Sequence, residues 1–153
     1  MNAITLYRLA HWCYCRRVPL LPILIRDLIF LLFNSYIPPS ARIGRGTVFA
    51  YGAIGVVLHA DCVIGEGCVI GQGVTVGAAE GFFSSRPNKC PVIGDNCYIS
   101  VGARVLGDIV IGSHSVVGAG AVVVKTYPQH SILAGVPARV IGNTAADYLA
   151  IRP

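Results

Sequence analysis

A chain of 153 residues, 54% hydrophobic and only 12% charged, is long enough for one domain with a continuous core. Its mean hydropathy of +0.66 does not come from a membrane span. The longest apolar stretch, Val18 to Phe33, is broken by Pro19, Pro22 and Arg26-Asp27, whereas a spanning helix needs about 20 largely uncharged residues.

In chain order, Asn2 to Arg17 carries Ile4, Leu6, Leu9, Ala10, Trp12 and Cys13 as a helical stripe ending at Arg16-Arg17, and predicts a short helix. Leu20 to Phe33 predicts a second, with Pro22 tolerated in its first turn and Asn34-Ser35 closing it. That helix is apolar nearly all round, so it is expected to be buried. From Ile43 an aliphatic marker returns every six residues, at Ile43, Phe49, Leu58, Ile64, Ile70, Val76, Ile93, Ile99, Val105, Ile111, Val117 and Val123. Four positions after most markers comes a small or β-branched residue, such as Thr47, Cys62, Cys68, Cys97 or Ser115. Two inward positions in each six build a short flat strand and a turn, and three such units close a triangular coil. The fold class is therefore an all-β solenoid of roughly four stacked coils, whose ends need covers because they expose unpaired backbone. Residues 1–36 are expected to form the N-terminal helical segment, 37–142 the solenoid domain with its C-terminal cap, and 143–153 a tail with one helical turn near Ala145 to Leu149.

Two breaks in the rhythm mark the candidate site. The step lengthens by three between Phe49 and Leu58, which places Tyr51 to Gly55 on a bulge, and by eleven between Val76 and Ile93, which makes Gly77 to Pro91 a loop. Insertions in a solenoid map to surface loops, often on the binding face. His59, one residue after a marker and at a position usually held by glycine, lies between them.

Cys62, Cys68 and Cys97 fall at the small inward position and read as buried thiols, while Cys13 and Cys15 are too close in sequence for a CxxC motif. We expect no disulfide and no metal, since His59 and His114 fall on distant coils. A charge of +5 admits an acidic ligand, but no nucleic-acid motif appears. The apolar stretch starts late and no small-residue cleavage site follows it, so the expected location is cytoplasmic. Arg8, Arg16, Arg17, Arg26, Arg42 and Arg45 against the single acid Asp27 raise peripheral contact with anionic lipid at the inner membrane face, with burial in an oligomer as the alternative.

The segments YRLAHW (7 to 12), ARIGRG (41 to 46), VIGEGCVIGQGVTVG (63 to 77), VIGDNCYISVGARVLGDIVIG (92 to 112), VVGAGAVV (116 to 123) and AGVPARVIG (134 to 142) resemble the left-handed β-helix hexapeptide acyltransferases, in particular the serine acetyltransferase and polysaccharide O-acetyltransferase group. The resemblance implies a left-handed coil, a homotrimer with sites between subunits, and acetyl-CoA as acetyl donor. It also implies coenzyme contacts along the backbone of Val101, Gly102, Ala103, Gly118 and Ala119, with Lys125 and Arg139 near the phosphates. Serine acetyltransferases carry an Asp-His pair where this chain has Ala50-Tyr51-Gly52, an Arg-His-Pro where it has Lys89-Cys90-Pro91, and an acid where it has Tyr36. The segment GVVLH (55 to 59) is similar to the sugar O-acetyltransferase branch. The expected reaction is O-acetylation of a sugar or glycan hydroxyl in polysaccharide biosynthesis. Serine O-acetyl transfer is the alternative and an inactive scaffold the second.

An alcohol needs a base as its proton leaves, and histidine suits that task near neutral pH. His59 is the expected base, with Asp61 or Glu80 orienting it, backbone N–H groups near Gly77 receiving the oxyanion, and Tyr51, Lys89 and Cys90 lining the acceptor pocket. Cys90 as an acyl-carrying nucleophile is the alternative role for that thiol.

Overall fold

The computed structural model describes residues 2–78 and 89–145. Two helices, α1 (Ala3–Cys15) and α2 (Leu21–Phe33), precede twelve short strands and a terminal hairpin. The strands fall three to a coil: β1 (Arg42–Ile43), β2 (Val48–Phe49) and β3 (Val57–Leu58), then β4 (Val63–Ile64), β5 (Val69–Ile70) and β6 (Thr75–Gly77). The third coil holds β7 (Val92–Ile93), β8 (Tyr98–Ile99) and β9 (Arg104–Leu106), and the fourth β10 (Val110–Ile111), β11 (Val116–Val117) and β12 (Val122–Val123). Equivalent strands pair in parallel into three faces, β1-β4-β7-β10, β2-β5-β8-β11 and β3-β6-β9-β12. The four coils anticipated from the six-residue period are therefore present.

The interior is what the period dictates. Every aliphatic marker is buried, and so is every inward small position from Thr47 to Ala121. The six cysteines are free thiols, with Cys62, Cys68 and Cys97 among the buried ones.

The three corners of the triangle differ in room, and that difference decides where a side chain can sit. At the corner after the first face, glycine follows the marker in every coil, and a Cβ on Gly44 or Gly112 would lie 2.2–2.6 Å from backbone atoms of the next turn. At the corner after the third face the equivalent residues are His59, Gly77, Leu106 and Val124, and a Cβ on Gly77 would meet only the Leu106 side chain at 3.6 Å. This roomy corner admits a histidine.

The solenoid's first coil is capped by α1. In later coils the inner carbonyls accept from the coil before, as Cys62 and Ile64 do from the N–H groups of Arg42 and Gly44. The first coil has no such predecessor, and side chains of α1 supply the donors. Tyr7 Oη donates to the Ala41 carbonyl at 2.6 Å, Asn2 Nδ2 to Phe49 O at 2.9 Å, and the Arg8 guanidinium to Ile43 O and Gly44 O. The far end is closed by β13 (Ser131–Gly135), which pairs in parallel with β11, and β14 (Ala138–Asn143), antiparallel to β13.

The expectation that α2 is buried is corrected. Pro22, Ile25 and Ile29 are covered, but Leu24 is 62% and Leu31 80% exposed, because α1 and the first coil cover only one stripe of a helix that is apolar all round. No helix among the described residues is long and apolar enough to cross a membrane. The helical turn expected near Ala145 to Leu149 falls mostly outside the described residues.

Candidate functional site

The site forms at the roomy corner, where the first coil turns back from β3. The Leu58↔Val76 register puts His59 beside Gly77 of the next coil, and the His59 backbone is fixed by its N–H donating to Val76 O (2.8 Å) while its carbonyl accepts from Cys62 N–H (3.2 Å). The chain leaves the solenoid after Gly77 and re-enters at Val92 with Cys90 folded back over the histidine. Cys90 Sγ lies 2.9 Å from His59 Nδ1. The same nitrogen receives the Asp61 N–H at 3.3 Å, and Asp61 Oδ2 stands 3.7 Å away. An amide can only donate, so Nδ1 carries the lone pair and the Cys90 thiol donates to it. The imidazole is about three-tenths exposed, so one edge still faces solvent.

Burial, with a smaller contribution from the Asp61 carboxylate, pushes the Cys90 thiol above its ordinary value. It rests as a neutral thiol whose proton needs a base to leave. Lys89, next to it, pairs with Asp108 Oδ2 at 2.9 Å, which raises the lysine's pKa. This pair ties the returning loop to the third coil's version of the same corner. Asp108 had no sequence signal beyond its place after Gly107, where the corner departs from the usual turn. His59, Asp61 and Cys90 also present one ligand atom each within 4.8 Å of one another, a donor set of the kind that holds zinc. The sequence reading, which sought converging histidines, did not see this trio.

The other anticipated residues divide by corner. Tyr51 is 71% exposed with a left-handed φ of 54°, on the bulge that the lengthened step predicted. Gly102 and Gly120 stack at the corner between the second and third faces, both with left-handed φ, and a Cβ on either would meet nothing within 4 Å. Val101 and Gly118 flank that open shelf half-buried, and Ala119 is exposed on it. Ala103 is fully buried and its methyl fills the interior column, so only its backbone borders that shelf. Lys125 and Arg139 are exposed. Tyr36, at the position of the family's acid, instead lies beneath the Arg26 guanidinium at 5.5 Å. Glu80 lies outside the described residues.

Residues 90–125 match the family model described as bacterial transferase hexapeptide (six repeats). A serine acetyltransferase of Synechococcus elongatus is 38% identical over 92% of this chain and 56% of its own length. Among solved structures, serine acetyltransferase of Brucella abortus strain S19 in complex with coenzyme A has a TM-score of 0.84 at 35% identity, covering 92% of this chain and 55% of that one. A serine acetyltransferase in complex with cysteine has a TM-score of 0.84 at 32% identity, covering 94% and 55%. The chain belongs to the hexapeptide-repeat acyltransferase superfamily. Its solenoid is accordingly the left-handed parallel β-helix of that superfamily.

The chain spans little more than half the length of these relatives. The expected sugar or glycan acceptor is corrected, together with the polysaccharide pathway attached to it. Relatives that match over nearly the whole chain are serine acetyltransferases, and the sugar reading leaned on residues absent at three positions, Tyr36, Ala50-Tyr51-Gly52 and Lys89-Cys90-Pro91.

Proposed function

We propose that this chain transfers the acetyl group of acetyl-CoA to the hydroxyl of L-serine, at the His59 corner. The observation that carries the reading is the His59 imidazole with its lone pair aimed at the returning loop, in a solenoid that superposes on serine acetyltransferases bound to coenzyme A and to cysteine. The third face connects the two relevant corners, so a donor lying across β3-β6-β9-β12 reaches from the open shelf of Val101, Gly102, Gly118 and Ala119 to the histidine. Narrow residues there bring backbone groups within reach of a pantetheine arm, and Lys125 and Arg139 supply positive charge for its phosphates. Gly77, beside His59, places backbone at the reacting carbonyl. Tyr51 and Lys89 border the acceptor. Release of free coenzyme A from acetyl-CoA is expected to depend on L-serine and to saturate with it. Acetyl-CoA consumption that ignores L-serine overturns the reading.

The same reading includes a homotrimer. Leu20, Leu24, Phe30 and Leu31 on one side of α2, and Val48, Tyr98 and Val110 on the solenoid, expose more apolar surface than a lone small domain usually leaves in water. Subunit contact accounts for this face better than lipid. Arg8 is spent on the first coil's carbonyls and Arg26 is paired with Asp27 at 2.7 Å, which reduces the positive charge this end can offer a bilayer. Sedimentation at micromolar concentration is expected to give the mass of three chains, and a monomer there disproves the assembly.

A further inference from the structure

We propose that Cys90 carries the acetyl group between donor and acceptor, so that transfer runs through a Cys90 thioester instead of directly from coenzyme A to the hydroxyl. The inference rests on the proposed acetyl-CoA chemistry and deepens it.

Three observations converge on it. The only lone pair of His59 able to act as a base is on Nδ1, because the Asp61 amide donates there, and that lone pair points at Cys90 Sγ 2.9 Å away. A base reserved for an acceptor hydroxyl would be open toward that hydroxyl; this one is engaged by a thiol. The Asp61 carboxylate stands 3.7 Å from the same nitrogen, a third group beside the base. Finally, Cys90 is partly exposed, unlike Cys62, Cys68 and Cys97, which the interior seals off. A nucleophile, a base within hydrogen-bond reach and a third group beside the base form the general pattern of covalent acyl transfer.

The steps balance without any further reactant. The Cys90 S–H proton passes to His59 Nδ1, and the thiolate attacks the acetyl carbonyl carbon of acetyl-CoA. The bond from that carbon to the coenzyme's sulfur breaks, and the departing thiolate takes the proton from the imidazolium, giving acetyl-Cys90 and free coenzyme A. The acceptor hydroxyl then gives its proton to Nδ1 and its oxygen attacks the acetyl-Cys90 carbonyl. The bond from carbon to Sγ breaks and Sγ regains the proton, leaving O-acetylserine and the resting thiol. The first step exchanges one thioester for another, and the second converts a thioester to the more stable oxygen ester.

The test begins with wild-type protein incubated with acetyl-CoA and no acceptor, quenched in acid and read by intact and peptide mass. One acetyl group per chain is expected, located on Cys90, removed by hydroxylamine, and discharged when L-serine is added before the quench. Initial rates against both substrates are expected to give the parallel double-reciprocal lines of a substituted enzyme. Cys90→Ala is expected to lose the adduct and to slow turnover by about 10²-fold or more, with acetyl-CoA affinity and the circular dichroism spectrum showing that it still folds. Intersecting lines with no adduct, or a Cys90→Ala rate within about threefold of wild type and so far short of that range, overturn the inference. An adduct shared with the exposed Cys15 marks uncatalysed thiol exchange and overturns it too, as does a stoichiometric zinc that Cys90→Ala releases. Acetyl-Cys90 that forms but ignores L-serine supports the inference and sinks the serine reading, whereas serine turnover without an adduct does the reverse.

Discussion

At the scale of the residue, His59 was legible because it breaks a rule. Three of the four equivalent positions at its corner hold glycine or an aliphatic residue, and a titratable ring between two insertions has no packing reason to be there. Replacing it with alanine is expected to lower turnover by about 10²- to 10⁴-fold while acetyl-CoA affinity stays nearly unchanged, because the proposed coenzyme contacts lie at the other end of the third face. Turnover of the variant measured beside its acetyl-CoA affinity checks this, and an equal loss in both would mean that the histidine only supports the fold. Asp61 was legible as a neighbour, and its carboxylate stands 3.7 Å from the imidazole. The role of Cys90 was only half legible. Its place in the loop follows from spacing, but its approach to Nδ1 depends on the path by which the chain returns to the solenoid, and the six-residue period says nothing about a segment that leaves it.

Among the elements, the strands and the helices were legible for different reasons. Each strand repeats one inward pattern, so the period located all twelve. The helices were found from an apolar stripe and from prolines, which gave their extents but not their partners. The rule that glycine follows a marker concealed a distinction between corners that only the backbone reveals. At Gly112 an added methyl would strike the backbone of Pro128 and Gln129 at 2.2–2.6 Å, whereas at Gly77 it meets the movable end of Leu106 at 3.6 Å. Gly112→Ala is therefore expected to destabilise the protein by about 1–3 kcal/mol through overpacking. Gly77→Ala, although nearer the site, is expected to change stability by less than about 0.5 kcal/mol. Denaturant unfolding of the two variants separates these outcomes, and equal losses would show that the corners do not differ in room. The same contrast explains how this fold places the His59 side chain, the proposed base, without disturbing the stacking of its coils.

On the scale of the whole molecule, a solenoid is held together by contacts between neighbouring coils and is weakest at its ends, so the N-terminal lid governs how it begins to unfold. That lid depends on Tyr7, which is fully buried and donates to Ala41 O at 2.6 Å, and Cys62 is buried below the first coil, its carbonyl accepting from Arg42 N–H. Burial raises Tyr7 from its ordinary 10.0 to about 12 and Cys62 from 9.0 to about 12. Both groups are neutral when protonated and their folded values lie above the unfolded ones, so the folded state holds its protons longer. Stability from this source is complete below the unfolded value of Cys62, 9.0. It declines as pH rises, because the unfolded chain then releases protons that the folded chain keeps, and the decline ends near 12, where both folded groups ionise. Because both groups belong to the N-terminal end, the loss is expected as fraying of α1 before the later coils open. Amide exchange followed from about pH 8 to about pH 10.5, across the ordinary thiol and phenol range and corrected for the intrinsic rate, should show α1 losing protection first. In Tyr7→Phe combined with Cys62→Ala that pH dependence should flatten, although the variant is less stable throughout because the Ala41 carbonyl is left without its donor, at about 1–3 kcal/mol. If α1 of the double variant loses protection with pH as steeply as wild type, these two groups do not set the alkaline limit and the weak end lies elsewhere in the stack.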